Sequence, residues 1–281
     1  MKYPLFKVHI DIDDVLGRIR KVFESGFLNE GREVLQIREM LREIWKTENI
    51  TMTSSCTGSL IMALKIAGVE PGDEVIAPSM TCVATNVSTE WLGAKTVWAD
   101  IDPKTGNIDP VEVAKKITDK TKAVICVDWA GIPCKLEELQ KICTENNIKL
   151  IQDAAHGFGS EYRGKEICHW ADITCYSFQA IKHITTGDGG AIVCLSDEDH
   201  EKAGRLKWYG FDRDRLKDED GNWKGKRWDS NIKEVGWKLN MNNMSAVLGI
   251  SNLERREKII GTHKKNASIY RQMFLKNNNI N

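Results

Sequence analysis

The chain has 281 residues, 41% of them hydrophobic, enough to bury a sizeable core in one large domain or two ordinary ones. Forty basic residues balance forty acidic ones, which argues against a dedicated nucleic-acid or anionic-membrane surface and leaves small molecules and other protein chains as the expected partners. Met1-Lys2-Tyr3-Pro4 opens no apolar signal core, no stretch approaches the roughly eighteen apolar residues of a membrane span, and the eight cysteines form no C-x-x-C pair, so a reducing, cytoplasmic setting without membrane insertion is expected.

Residues 10–48 carry helical spacing, with Val15, Ile19 and Val22 on one face, a break at Ser25-Gly26, then Val34, Ile37, Met40, Leu41 and Ile44 on another. This predicts two packed helices in an N-terminal helical segment over residues 1–48. From about residue 50 short apolar runs (Glu74 to Ala77, Lys95 to Ala99, Lys122 to Val127, Ile148 to Ile151) alternate with helical stretches near 57–68, 83–93, 109–118 and 135–146. Such alternation predicts an α/β domain with a largely parallel sheet, whose ligands collect at the carboxyl ends of the strands.

Three stretches in that frame carry chemistry. In Thr53-Ser54-Ser55-Cys56-Thr57-Gly58-Ser59-Leu60, hydroxyls and a glycine open a helix, and its free N–H groups suit a phosphate, with the Thr57 and Ser59 hydroxyls as added donors. A plain helix cap is the alternative reading. In Leu150-Ile151-Gln152-Asp153-Ala154-Ala155-His156-Gly157 an apolar strand ends in an aspartate, placed either to hold a ring nitrogen protonated or to cap the next helix. His156 stands where it could orient Asp153 or face a cofactor ring, although a lone histidine is more often structural. Lys182 lies between two short apolar runs, Ala171 to Tyr176 and Ala191 to Leu195, in a connection rich in hydroxyls and glycines. There it is a desolvated amine able to form a Schiff base, or a surface lysine in a glycine-containing loop.

Taken together, the three resemble the DegT-type sugar aminotransferases, which depend on pyridoxal 5'-phosphate (PLP) and have the fold type I architecture. The resemblance runs through Ser25-Gly26 with Gly31, Ser55 to Leu60, Pro71-Gly72-Asp73-Glu74-Val75, Asp100-Ile101-Asp102, Asn107-Ile108-Asp109-Pro110, Gly131-Ile132-Pro133, Asp153-Ala154-Ala155-His156, Ser177-Phe178 with Lys182, and Gly187-Asp188-Gly189-Gly190. It implies a three-layer α/β/α fold with a mostly parallel central sheet over residues 49–250, and a C-terminal small domain begun at 251–281 and largely absent.

The resemblance also implies roles. Lys182 would bind the PLP aldehyde and later move a proton, Asp153 would pair with the pyridinium, and His156 would lie near the cofactor. Thr57, the Gly58 backbone and Ser177 would hold the phosphate. The implied reaction moves an amino group from an amino acid, usually glutamate, to a nucleotide-linked keto-sugar in amino-sugar or surface polysaccharide synthesis. Related dehydratases carry histidine in place of the lysine, so Lys182 speaks for amino transfer. A homodimer is implied as well, with Lys238 and Asn240 of Gly236-Trp237-Lys238-Leu239-Asn240-Met241 reaching the neighbour's phosphate; Lys238 reads otherwise as a surface lysine.

This chain departs from the pattern at two places. Cys82 stands where the family usually stacks an aromatic ring on the cofactor, and its smaller contact area implies either weaker cofactor packing or a ring supplied from elsewhere, such as Trp129. Family members also run on well past the helix that matches Met244 to Met273, which leaves a non-catalytic, cofactor-binding homologue as the alternative function. The charged segment Lys207 to Trp228 reads as an excursion near the sugar-nucleotide site, or as a solvated loop.

Overall fold

The computed structural model describes residues 6–211 and 232–275. Two amphipathic helices come first, α1 (Ile12–Ser25) and α2 (Arg32–Trp45). Asp11 caps α1 by accepting the Asp14 N–H at 3.2 Å, and Gly26 ends it in the left-handed conformation at φ 66°. The alternating region follows as β1 (Ile50–Thr53), α3 (Cys56–Ile66), β2 (Glu74–Pro78), α4 (Val83–Trp91), β3 (Lys95–Ala99), α5 (Pro110–Lys116), β4 (Thr121–Val127), α6 (Leu136–Glu145) and β5 (Lys149–Asp153). A two-stranded hairpin, β6 (Glu161–Tyr162) and β7 (Lys165–Glu166), precedes β8 (Ile173–Ser177) and β9 (Gly190–Cys194); α7 (Asp197–Leu206), α8 (Asn243–Glu254) and α9 (Arg256–Leu275) complete the described elements.

The main sheet has seven strands in the order β1-β9-β8-β5-β4-β2-β3. Only β9 runs against its neighbours, and the other pairings are parallel. Alternate residues feed two cores. Ile76, Val124, Cys126, Leu150, Tyr176 and Val193 pack with α2 and α8 on one face, whereas Val75, Ala123, Ile125, Ile151, Ile173 and Ile192 pack with α3 on the other. The result is the α/β domain with a largely parallel sheet that the alternation predicted, in the three-layer α/β/α form that the resemblance implied. Strands buried on both faces explain why their sequences read as continuous apolar runs.

The element ends differ from the sequence reading by a few residues, with one larger correction. The single helix expected from Met244 to Met273 is two, separated at Arg255, whose φ of −109° and ψ of 10° leave the helical path. Its guanidinium is drawn to α1, bonding Asp11 Oδ2 at 2.7 Å and Asp14 Oδ2 at 3.1 Å. The charged segment Lys207 to Trp228 lies mostly outside the described residues; of its start, Lys207 is buried and paired with Glu30 at 2.5 Å. Among the described residues no helix is long and apolar enough to cross a membrane.

Because β1, β2, β4, β5 and β8 share one direction, their carboxyl ends gather along one edge of the sheet. The reversed β9 begins at that same edge, with Gly190 opposite both Thr53 and Ser177. The three chemistry-bearing stretches therefore meet there, although far apart in the chain.

Candidate active site

The connection between β8 and β9 contains no helix and is tied down at its base. Thr186 N–H and the Thr185 hydroxyl both donate to the Phe178 carbonyl (2.9 and 3.1 Å), and Phe178 N–H donates to the Gly189 carbonyl at 2.9 Å. With Phe178, Ile184, Thr185 and Thr186 buried, the loop is a rigid mount that offers Lys182 to a cavity of about 340 Å³. The cavity wall includes Thr57, Cys82, Trp129, Asp153, His156, Ser177 and Lys182. Six of the nine residues proposed from sequence thus converge, and Trp129 lines the same wall as Cys82.

Lys182 is half-buried, not sealed from water, so the full desolvation expected from the sequence is only partly realised. Among the described residues its Nζ makes no hydrogen bond or ion pair. Asp153 differs. It is buried at the end of β5, and its Oδ2 accepts from the Thr85 hydroxyl at 2.7 Å while Oδ1 accepts the Ala155 N–H at 3.1 Å. Burial pushes its carboxyl above the ordinary value, opposed by those two hydrogen bonds and by the nearby His156 and Lys182.

His156 does not orient Asp153. Its Nδ1 accepts the Ala130 N–H at 3.3 Å, and the ring meets Trp129 edge-on at 5.6 Å. Burial and the neighbouring Lys182 hold its pKa below the usual histidine value, so the neutral ring carries its proton on Nε2. The groups that orient Asp153, Thr85 and the Ala155 amide, escaped the sequence reading.

A second carboxylate, Asp128, sits just beyond β4 with no exposed surface. Its oxygens accept from Cys134 N–H (3.0 Å) and Gln152 Nε2 (2.7 Å), and Gln152 is in turn fixed by Thr174 (3.0 Å). Burial drives the Asp128 carboxyl up to about 7, the hydrogen bonds countering and the Asp153 charge adding. A folded-state pKa above the unfolded one stabilises fully below the unfolded value, and that contribution is lost as pH rises through the folded value. Asparagine offers one acceptor for the Cys134 and Gln152 donors, so Asp128→Asn is expected to be less stable than the native protein at about pH 4, with the deficit narrowing until about pH 7 as the native protein loses stability; urea unfolding of the cofactor-free proteins across this range checks it.

The phosphate cradle is smaller than its sequence. Ser55 caps α3, its Oγ taking the Gly58 N–H at 3.0 Å. Ser59 is no donor to the cavity, because its hydroxyl is buried against Thr53 Oγ1 at 2.7 Å. What remains open in the first turn is the N–H of Cys56 and of Thr57, which lack acceptors within the helix, with the Thr57 and Ser177 hydroxyls in the same wall. The cradle closes on Gly190. A Cβ there would come within 2.7 Å of the Cys56 nitrogen and of the Ser55 carbonyl carbon, so only glycine lets β9 start against α3.

Gly58, Lys238 and Asn240 lie outside this chain's cavity wall. Lys238 Nζ bonds Asn240 Oδ1 and sits 4.2 Å from the centre of the Trp208 ring, and the buried Asn240 also donates to Asn29 Oδ1 at 3.0 Å. The segment still borders the cradle, since the Leu239 carbonyl accepts the Ser54 N–H at 2.7 Å.

The residues present fit PLP. First-turn amides and hydroxyls suit a phosphate, a buried carboxylate suits a pyridinium, and an amine without a competing partner suits an aldehyde. Comparisons with known proteins agree. The chain is 32% identical over 272 residues to the UDP-4-amino-4-deoxy-L-arabinose–oxoglutarate aminotransferase of Shewanella sediminis, covering 96% of this chain and 69% of that protein. It is 30% identical over 259 residues to the spore coat polysaccharide biosynthesis protein SpsC of Bacillus subtilis, covering 92% and 66%. Spr1654 from Streptococcus pneumoniae, solved in a PLP form, superposes with a TM-score of 0.87 at 26% identity over 97% of this chain and 71% of that one. The chain spans about two thirds of the length of the curated relatives it matches. Family-wide features match across residues 10–281, and the chain belongs to the DegT/DnrJ/EryC1/StrS aminotransferase family.

Proposed function

We propose that this protein transfers an amino group from an amino acid, glutamate in the simplest reading, to a nucleotide-linked keto-sugar, with PLP as cofactor. The observation that carries the reading is the convergence of the Lys182 amine, the buried Asp153 carboxylate and the open first turn of α3 on one cavity. When bound, PLP supplies an aldehyde that takes up amines and a ring that withdraws electrons from the carbon whose proton is exchanged. Lys182 Nζ would hold that aldehyde, with loss of water, and would be the group that moves the proton. Asp153 holds a proton on the ring nitrogen, Thr57, Ser177 and the Cys56 and Thr57 amides bind the phosphate, and Trp129 with Cys82 keeps water from the ring.

The relatives' names favour a sugar acceptor used in amino-sugar or polysaccharide synthesis, and the Shewanella protein's name favours a keto group at position 4 of the sugar. In this reading the protein is a cytoplasmic homodimer, Lys238 and Asn240 serve the neighbour's phosphate, residues 49–250 form the cofactor domain, and 251–281 begin a second. The test is a screen of nucleotide keto-sugars with PLP and glutamate, read by product mass. An amino-sugar nucleotide together with 2-oxoglutarate is the expected result. A protein that binds PLP yet converts no keto-sugar with any amino donor would overturn the proposed reaction.

A further inference from the structure

Helix α4 packs against the sheet through hydroxyls. Thr85, Ser88 and Thr89 are buried, whereas Val83 and Trp91 stand 77% and 62% exposed. Ser88 satisfies its hydroxyl on its own helix, at the Ala84 carbonyl (2.6 Å). Thr85 does not turn back. Its Oγ1 donates to Asp153 Oδ2 at 2.7 Å and lies 2.7 Å from Oγ1 of Thr81, which is in the cavity wall. A hydroxyl has a single proton to give. With the Thr85 proton committed to a carboxylate, Thr81 is the donor to Thr85, and the two hydroxyls form a one-way chain from the cavity wall to the buried acid.

We propose that Thr85, backed by Thr81, is a positioning residue that fixes the Asp153 carboxylate in its ionised form and in one orientation toward the ring nitrogen of the cofactor. The proposal rests on the function given above and assigns a role to a helix face that no apolar packing explains. The Ala155 amide holds the other oxygen, Oδ1, at 3.1 Å and is a backbone group that no side-chain change removes; the remaining groups facing Asp153 work less directly. Cys56 of α3 approaches Oδ1 at 3.9 Å, Cys175 comes from β8, Cys126 and Asp128 from the end of β4, and His156 and Lys182 from the two connections. Burial is the largest influence on the Asp153 carboxyl and the Thr85 hydrogen bond is the largest one opposing it. Without Thr85 the carboxyl would move further up and the charge facing the ring would weaken.

The experiment compares Thr85→Val, which keeps shape and loses the donor, with Thr85→Ser, which keeps the donor. In equilibrium titration the valine variant is expected to bind PLP about tenfold more weakly, the scale of one hydrogen bond to a charged group. Its kcat falls while KM for the amino donor holds, and serine restores both. In cofactor-free protein the stability deficit of Thr85→Val widens as pH rises above the ordinary carboxylate value of about 4, because a raised carboxyl loses stability as pH climbs through it. A packing role alone gives one deficit at every pH. Should the valine variant fail to fold, Thr81→Val, at a half-buried position, reads the same chain with a smaller shift in the same direction.

A pH-independent deficit together with unchanged PLP affinity overturns the proposal. If the native protein takes up no PLP, the proposed function falls, while the pH comparison on the cofactor-free protein still decides whether Thr85 governs Asp153.

Discussion

Lys182→Ala is expected to lower amino transfer by about 10⁴-fold, the upper end for removing a positioned proton-transfer group, while leaving the fold in place. The two halves of that expectation come from different parts of the structure. Chemically, Lys182 is the lysine in the cavity wall, and no other residue of that wall carries an amine. Structurally, its side chain is half-buried and makes no hydrogen bond or ion pair among the described residues, and its loop is held by Phe178, Thr185, Thr186 and Gly189. Truncation should therefore change the unfolding free energy, measured in urea, by no more than about 0.5 kcal/mol, as at an ordinary surface position. Initial rates give the first half. Borohydride reduction followed by peptide mass gives an independent reading, since the native protein should retain PLP on the peptide containing residue 182 and the variant should not. Undiminished turnover by the alanine variant would exclude Lys182 from the reaction.

Asp153→Asn is expected to separate stability from activity in opposite directions. A buried carboxylate whose pKa is pushed up by desolvation contributes less and less stability as pH rises past the ordinary value of about 4. The cofactor-free asparagine variant should thus be at least as stable as the native protein near neutral pH and lose its advantage in acid. The ring nitrogen then faces a neutral amide, so amino transfer should fall by about 10²- to 10³-fold, the usual effect of removing one preorganised electrostatic partner. The thermal stabilisation gained on adding PLP should shrink with the lost affinity. Calorimetry with and without PLP at two pH values, alongside rates, measures all three. A cofactor-free variant less stable than the native protein at neutral pH would show that the Asp153 charge is satisfied by its neighbours, contrary to the direction argued here.

The site residues legible in the sequence share one local feature. Asp153 and Ser177 each end an apolar run, and Thr57 begins a helix after a strand, so each declares its place at the carboxyl edge of a sheet before any contact is known. Thr85 declares nothing. It sits in a helix whose apolar residues Val83 and Trp91 face outward and whose hydroxyl residues Thr85, Ser88 and Thr89 face inward, and hydrophobic periodicity reads that helix inside out, Thr85 meeting an acid in the interior. Ser59 errs the other way: its sequence context matches the cradle, but the helical turn carries it into the core beside Thr53.

By itself, the sequence determined the two N-terminal helices and the strand-helix alternation up to β5, because apolar spacing and chain-breaking glycines act over a few residues, but not α7, the β6–β7 hairpin or the break between α8 and α9. The tertiary structure decided the strand order and the reversal of β9, and with them that residues 53–57, 81–85, 128–130, 153–156 and 177–190 share one edge. Strand order depends on which crossovers bury both faces of the sheet at once, a condition on the whole chain that no local pattern encodes. The same condition buries Asp128 and Asp153 near each other and Thr85 against Asp153, and the raised pKa of the two carboxyls follows from that burial.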